Sequence, residues 1–248
     1  MAYPHVLTRA WALLALLLCS PVEALEISPL RVTLAPAQSD GELWLYNDAA
    51  RPWSGQARLY HWDQTHAAEV LVPAQDLALS PATLTLAAHA RQRVRVVRLG
   101  PAPATEQGYR LVIRAGADSP PLQVSLPVFI AGPEPAAAPA LTVQVHAEAD
   151  TATLELYNAG GSHARLADLV FTDDQGRERP ILPNLAGYVL AQRSRRWPLP
   201  GPAATYAGGH FSARLGEAAR QPLASPTPPI APLAGPTPPI APPALPGL

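Results

Sequence analysis

Apolar and polar residues alternate along most of residues 26–132, which is the pattern of short β-strands that bury one face. The clearest case is residues 122–130, Leu-Gln-Val-Ser-Leu-Pro-Val-Phe-Ile. Because strand side chains point alternately to two faces, one face collects the aliphatic residues Leu122, Val124, Leu126, Val128 and Ile130. Pro127 lies on the other face and has no N–H to donate, so the pattern predicts a strand at the edge of a sheet. Such an edge can pair with another chain.

Further segments of this region alternate in the same way and are separated by turn residues. They are residues 42–46, 56–62, 83–86, 91–96 and 109–114. About seven short strands with turns between them predict an immunoglobulin-like β-sandwich. We place this first domain at residues 25–132.

The alternation stops and then restarts in the second half of the chain. Residues 133–139 are rich in Pro and Ala and are predicted to be a linker. Alternation returns at 141–145, 153–157 and 165–171, which predicts a second, smaller β-domain over residues 140–216. The sequence therefore predicts an all-β protein of two sandwich domains.

Residues 217–248 have a different composition and contain the sequence Pro-Thr-Pro-Pro-Ile-Ala-Pro twice, at 226–232 and 236–242. Proline at this density prevents a helix or a central strand, so we predict a disordered or polyproline II tail. Two interpretations stay open for this tail: a ligand for a proline-binding groove, and a duplicated extension without a function.

The N-terminus predicts export. The apolar run from Trp11 to Leu18 is too short to span a bilayer, and Val22-Glu-Ala24 fits a cleavage site, so residues 1–24 are predicted to be a signal peptide. Cys19 is the single cysteine and would be removed with it, which leaves a mature chain without disulfides. No later apolar stretch is long enough for stable membrane insertion.

Charge and motifs argue against several function classes. The net charge is −1, which gives no electrostatic case for nucleic acid binding. The sequence has no metal-ligand spacing, no nucleophile motif and no phosphate-binding loop, so we predict no metal, no cofactor and no enzyme activity. All 18 basic residues are Arg. Any cationic anchor must therefore be a guanidinium, whose planar fork suits a carboxylate.

Short stretches of both domains, taken in order, resemble one known family. In the first domain they are Ser28–Leu34, Asn47, Trp62–Gln64, Leu79–Pro81, Arg91–Arg95, Tyr109–Leu111 and Pro127–Phe129. In the second domain they are Leu156–Asn158, Gly161, Tyr188–Leu190 and Trp197–Leu199. Together these residues resemble the periplasmic pilus-assembly chaperones of the PapD-like family, most closely its archaic or spore-coat-type branch. The resemblance covers about residues 26–216 and leaves out the Pro-rich tail.

The resemblance implies two immunoglobulin-like domains in a boomerang arrangement and a chaperone function in the periplasm. A chaperone of this family lends a strand to an incomplete pilus or coat subunit, which is donor-strand complementation, and passes the subunit to an outer-membrane usher. The partners implied are therefore the subunit and the usher. The alternative function is a secreted two-domain adhesive or scaffold protein of the cell surface. A hydrolase on a β-scaffold would need a nucleophile and a base that the sequence does not show.

The resemblance also implies two sets of site residues. The donor strand would present Leu122, Val124, Leu126 and Val128 to the subunit. The same row could instead pack inside its own sandwich, and the alternation does not separate the two.

Arg31 matches the first of two basic residues that bind the subunit's C-terminal carboxylate, although a solvated surface charge would also explain it. The second basic residue of classical members is a Lys, and its place is taken here by Pro127. The candidates to replace it are Arg93, Arg95 and Arg110.

Overall fold

The structure, a computed structural model, describes residues 25–148 and 150–225. The predicted signal peptide at residues 1–24 and residues 226–248 of the predicted tail lie outside the described residues. Across the described residues, no helix has the length and apolar character needed to cross a membrane.

Ten strands and one short 3-10 turn make up the first half of the described chain. The strands are β1 (Leu25–Ser28), β2 (Val32–Leu34), β3 (Asp40–Asn47), β4 (Trp53–Asp63), β5 (Val70–Pro73), β6 (Leu77–Ser80), β7 (Thr83–Leu86), β8 (Arg91–Arg98), β9 (Gln107–Ala115) and β10 (Gln123–Ile130). The 3-10 turn covers Thr65–Ala67, between β4 and β5.

These strands form two sheets that pack face to face. One sheet has the order β1-β3-β8-β6, and the other has the order β2-β10-β9-β4-β5 with β7 also paired to β4. The alternating apolar residues of both sheets point inward, and Leu34, Leu43, Val94 and Leu111 are fully buried between them. The sequence pattern forms a sandwich because each strand can bury one face only by covering the other sheet.

Seven more strands and a second 3-10 turn, Ala203–Tyr206, follow. The strands are β11 (Leu141–Glu148), β12 (Thr151–Asn158), β13 (Ala164–Thr172), β14 (Glu178–Val189), β15 (Arg193–Leu199), β16 (His210–Leu215) and β17 (Arg220–Pro222). They form the sheets β11-β12-β15 and β14-β13-β16-β17 around a second core. The predicted all-β, immunoglobulin-like fold is confirmed.

The second sandwich continues beyond the boundary predicted at residue 216. Strand β17 pairs with β16, Leu223 is buried in the second core, and the N–H of Val143 donates to the carbonyl of Ala224 at 2.8 Å. The high proline content concealed this strand in the sequence. Proline is tolerated here because Pro222 lies on the outermost strand of its sheet.

The two sandwiches meet in a small apolar cluster formed by Trp62, Phe129, Tyr188 and Leu190. Gln64 crosses the junction: its amide donates to the carbonyl of Tyr188 at 2.8 Å, and its side-chain oxygen accepts from the N–H of Leu190 at 2.9 Å. Buried polar groups are costly unless they are paired, so this amide fixes how the two backbones meet. The C-terminal part of β10, which carries Phe129, is therefore held at the junction between the domains.

Candidate functional site

Strand β10 is covered along its whole length on one side and only partly on the other. Strand β9 pairs with it from Gln123 to Ile130. Strand β2 pairs with it only at Val128, Phe129 and Ile130. Among the described strands, none pairs with the segment Gln123–Pro127 on the β2 side, and we call this segment the open edge.

The backbone groups that the open edge presents follow from the hydrogen-bond pattern. The N–H of Ala115 donates to the carbonyl of Leu122 at 2.9 Å. Because antiparallel pairs alternate along a ladder, the even-numbered residues of β10 exchange hydrogen bonds with β9 and the odd-numbered residues point the other way. Gln123 and Ser125 therefore each direct an N–H and a C=O outward, whereas the outward C=O of Pro127 faces the N–H of Val32, where the pairing with β2 begins.

Pro127 fits this pattern without disturbing the sheet. Its missing N–H falls on the outward side, so no bond to β9 is lost, as the sequence analysis expected of an edge residue. Ala131 is also odd-numbered, and its N–H donates outward to the carbonyl of Leu34, the last residue of β2, at 2.9 Å. The same row of groups is thus used by β2 at one end of β10 and is unpaired at the other.

The predicted donor row divides along the same line. Leu122 and Val124 are half-buried beside the open edge and pack against the first core. Leu126 is 5% exposed and Val128 is fully buried, and both belong to that core. Leu122 and Val124 are therefore the two side chains of the row that solvent, or another chain, can reach.

Two arginines flank Pro127 on the face opposite the core. Arg110 of β9 is its register partner, and continuing the β2 pairing by one residue places Arg31 beside it on the other side. Neighbours across a sheet share a face, so the side chains of Arg31 and Arg110 leave the sheet on the same face as Pro127. Arg31 is exposed and makes no hydrogen bond or ion pair with another described residue.

Arg110 is held more firmly than Arg31. Its guanidinium lies 3.7 Å above the ring of Trp62, and only 14% of its side chain is exposed. Burial lowers the pKa of Arg110, while the nearby carboxylate of Glu69, 3.5 Å away, raises it. Arginine stays charged through such changes, so this site keeps its cation.

The other two candidates lie elsewhere in the molecule. Arg93 and Arg95 are on β8 of the opposite sheet, where they are exposed and paired with Glu42 at 3.5 Å and Asp40 at 3.0 Å. The structure brings Arg31 and Arg110 together with Pro127 and does not bring Arg93 or Arg95 there.

Two charged residues beside Arg110 could not be predicted from the sequence. Glu69 contacts both Arg110 and, at 3.0 Å, Arg195 of the second domain. Glu69 lies in a loop and Arg195 in a distant strand, so no spacing in the sequence links them. Their contact depends on how the two domains pack.

Comparison with known proteins gives a sequence match for the first domain. Residues 24–123 match the family model described as pili and flagellar-assembly chaperone, PapD N-terminal domain. No protein of curated function matches the chain in sequence.

Solved structures match over both domains. The complex of the CsuC chaperone with the CsuE tip adhesion subunit, from the archaic Csu pili of Acinetobacter baumannii, matches with a TM-score of 0.66 and 18% identity, over 82% of this chain and 100% of that one. The E. coli chaperone DraB matches with a TM-score of 0.54 and 18% identity, over 82% and 97% of the two chains. The Salmonella enterica SafA pilin in complex with the SafB chaperone matches with a TM-score of 0.53 and 15% identity, over 82% and 96%. At these identities the structural matches show a shared fold, and the family model adds the sequence relationship. The first domain therefore matches the PapD N-terminal domain model in sequence, and both domains share the fold of pilus-assembly chaperones.

Proposed function

We propose that this protein is a periplasmic chaperone that binds a pilus or coat subunit through the open edge of β10 and delivers it to an outer-membrane usher. The observation that carries the proposal is the half-covered strand: Gln123 and Ser125 direct unpaired backbone groups outward, next to half-buried aliphatic side chains. An incoming strand would complete this ladder by β-strand addition. This is the mode of recognition in chaperone–pilin donor-strand complementation.

The geometry supports one direction for the incoming strand. Because β2 occupies the edge from Val128 onward, a chain paired along Gln123–Pro127 must end or turn beside Pro127. Arg31 and Arg110 are the neighbours of Pro127 on the two adjoining strands, and their positive charges favour a carboxylate there. A chain that ends with its carboxylate beside Pro127 runs parallel to β10.

The side chains supply the apolar part of the contact. We infer that Leu122 and Val124 enter the subunit, and that Leu126 and Val128 keep β10 seated in its own core. Fully burying a Leu or Val side chain contributes about 1.5–3 kcal/mol, so these two residues could offset part of the cost of ordering the partner.

The related structures support the class of partner. The CsuC complex contains a tip adhesion subunit and the SafB complex contains a pilin. For this chain we infer a subunit of the same general kind. Location in the periplasm rests on the signal peptide predicted at residues 1–24, and delivery to an usher rests on the family.

The test is capture of a subunit by Val124→Asp. The chain would be co-expressed with the adjacent genes, and the subunit that co-purifies with it from the periplasm would be identified and measured. A carboxylate at position 124 should prevent burial in the partner, so capture should be lost while the melting temperature stays within a few degrees of that of the unmodified chain.

Val72→Asp provides the matched control, because Val72 is 56% exposed on β5, at the far edge of the same sheet. It should capture as the unmodified protein does. If Val124→Asp still co-purifies with the subunit, the donor role of β10 is excluded.

A further inference from the structure

A cavity of about 660 Å³ lies where the open edge begins. It is formed by Leu25 of β1, by residues of the β3–β4 connection from Asn47 to Trp53, and by the β9–β10 connection from Ala117 to Leu122. Strand β1 is the edge of one sheet and the open edge belongs to the other, so the cavity is a gap between the two sheets at one end of the sandwich. Leu122 directly precedes the open edge, so the cavity and the open edge are continuous.

Most residues of the cavity wall are apolar. Leu25 and Leu122 are half-buried and pack against the first core, and Trp53 belongs to that core and is 6% exposed. Three prolines, which add apolar surface and have no N–H to donate, also line the cavity: Pro52, Pro120 and Pro121. Ligand pockets in proteins have volumes of about 300–1,000 Å³ and a mostly apolar lining, so this cavity has the properties of a binding pocket.

Two polar side chains hold the walls of the cavity in place. The Asn47 amide donates to the carbonyl of Arg51 at 2.8 Å, and its oxygen accepts from the N–H of Ala49 at 3.2 Å. The hydroxyl of Ser119 accepts from the N–H of Ser54 at 2.9 Å. These bonds brace both connections without the help of a partner. Because Asn47 and Ser119 are already paired, an apolar group suits the cavity better than a polar one.

An added strand would direct one of its side chains into this cavity. Neighbours across a sheet share a face. In a strand that runs parallel to β10 and ends beside Pro127, the residues opposite Leu122 and Val124 therefore point to the gap between the sheets. The residues opposite Gln123 and Ser125 point to the other face. Leu122 lines the cavity and Val124 does not, so the side chain opposite Leu122 is the one that would enter.

We propose that the cavity is a specificity pocket that takes an aromatic side chain of the bound subunit, at the position opposite Leu122. The proposal rests on the proposed function, because the strand that pairs with the open edge carries this side chain. An aromatic ring can bury about 150–250 Å² of surface, and it has few rotatable bonds to order. Backbone pairing makes little demand on sequence, so the pocket gives the protein a means to distinguish one subunit strand from another.

The test uses three peptides that differ in whether and where they carry an aromatic side chain. The first is acetyl-Thr-Phe-Thr-Val-Thr-Val-Thr, whose Phe lies opposite Leu122 when its last residue lies beside Pro127. The second has Ala in place of this Phe. The third, acetyl-Thr-Ala-Phe-Val-Thr-Val-Thr, carries Phe opposite Gln123, on the other face. Dissociation constants would be measured by NMR titration of the full chain, following the indole N–H of Trp53. The first peptide should bind about tenfold more tightly than the other two.

A variant that narrows the cavity should remove this preference. Ala117→Trp places a large side chain on the cavity wall, so the first peptide should bind no more tightly than the second, whose dissociation constant should stay unchanged. Ala219→Trp is the matched control, because Ala219 is exposed between β16 and β17 of the second domain, and it should keep the tenfold preference. If the unmodified chain binds the three peptides equally, the pocket is excluded and the open edge stands. If it binds none of them, strand addition fails and the pocket fails with it.

Discussion

The two halves of β10 share one strand and one hydrogen-bond pattern, yet they have different surroundings. The C-terminal half, Val128–Ile130, lies between β9 and β2, and Phe129 packs beneath the second domain. The N-terminal half has β9 on one side and no described strand on the other. The difference arises at the start of the described chain, where β1 pairs with β3 and the chain then crosses to the other sheet to form β2. The crossing residues lie where β2 would otherwise continue, so the open edge is a consequence of this change of sheet.

This comparison indicates how one strand can be both stable and available. The C-terminal half, Val128–Ile130, which we call the closed half, anchors β10 through buried side chains and through backbone paired on both sides. The N-terminal half, Gln123–Pro127, which we call the open half, keeps only the pairing with β9 and the contacts of half-buried side chains. Another chain can therefore pair with its outward backbone groups. Changes in the two halves should therefore affect different properties, stability in one and capture in the other.

The largest effect should come from a matched pair of leucines on the same face of the strand. Leu126→Ala removes a side chain that is 5% exposed in the core, and such truncations cost about 2–5 kcal/mol of unfolding free energy. Leu122→Ala, at the half-buried end, should cost about 1 kcal/mol or less and should instead weaken subunit capture. Urea unfolding and co-purification would measure the two properties. Equal losses of stability in both variants would contradict the division of β10 into two halves.

The next effect should come from the charge at the end of the open edge. Arg31→Ala should weaken capture by about 1.5–3 kcal/mol, the usual contribution of a hydrogen bond to a charged group, which is roughly ten- to a hundredfold in affinity. Stability should hardly change, because Arg31 is exposed and has no partner among the described residues. Arg93→Ala, an exposed arginine of the opposite sheet, is the control and should leave capture unaltered. Unimpaired capture by Arg31→Ala would remove its anchor role.

A smaller effect should follow when one outward N–H is removed. Ser125→Pro deletes a donor that faces the open edge and leaves the bonds to β9 in place. One neutral hydrogen bond contributes about 0.5–1.5 kcal/mol, so affinity for the partner should fall by roughly two- to tenfold. Ser125→Ala removes the side-chain hydroxyl but keeps the N–H, and its affinity should match that of the unmodified chain. If both variants bind alike, the outward backbone groups do not pair with the partner.

These distinctions show how far the sequence could predict the molecule. Alternation located most of the longer strands of the first domain and the aliphatic row of β10, because burial on one face leaves a direct trace in the sequence. Of the strands with three or four residues in this domain, only β7 was predicted from alternation, and β1, β2, β5 and β6 were not. The open edge depends on where β2 ends, and β2 has three residues.

The candidate site shows the same limit for charged residues. Arg31 was identified through the family resemblance, and Arg110 was one of three candidates that the sequence left equal. The division of the strands between two sheets separates Arg110 from Arg93 and Arg95, and the register between β9 and β10 places Arg110 opposite Pro127. The contact of Glu69 with Arg195 crosses the domain junction, and local sequence patterns contain no information about that packing.

The smallest effect should be a loss of stability at low pH at the domain junction that covers the closed half. At the domain junction, the Asp63 carboxylate accepts hydrogen bonds from Arg193 of the second domain at 2.5 Å, from the N–H of Gln64 at 2.8 Å and from the Thr65 hydroxyl at 2.9 Å. Burial raises the pKa of Asp63, but these hydrogen bonds outweigh it and hold the pKa below its usual value. The folded protein therefore binds the proton less tightly than the unfolded chain does. The resulting stabilisation is present above about pH 4, the ordinary pKa of an aspartate, and is lost as the pH falls through the lowered value.

About a third of the Asp63 side chain is exposed, so its contribution should not exceed about 1 kcal/mol. Urea unfolding at pH 7, 4 and 3 should show that Asp63→Asn loses less stability on acidification than the unmodified chain does. Arg193→Gln removes the partner of the same ion pair and should flatten the profile in the same direction. Hydrogen exchange should show that acid loosens Phe129 in the closed half before it alters Val124, whose N–H pairs with β9 in the open half. If Asp63→Asn loses as much stability on acidification as the unmodified chain does, the domain junction at the closed half does not depend on this ion pair. The apolar cluster around Phe129 then holds the junction alone.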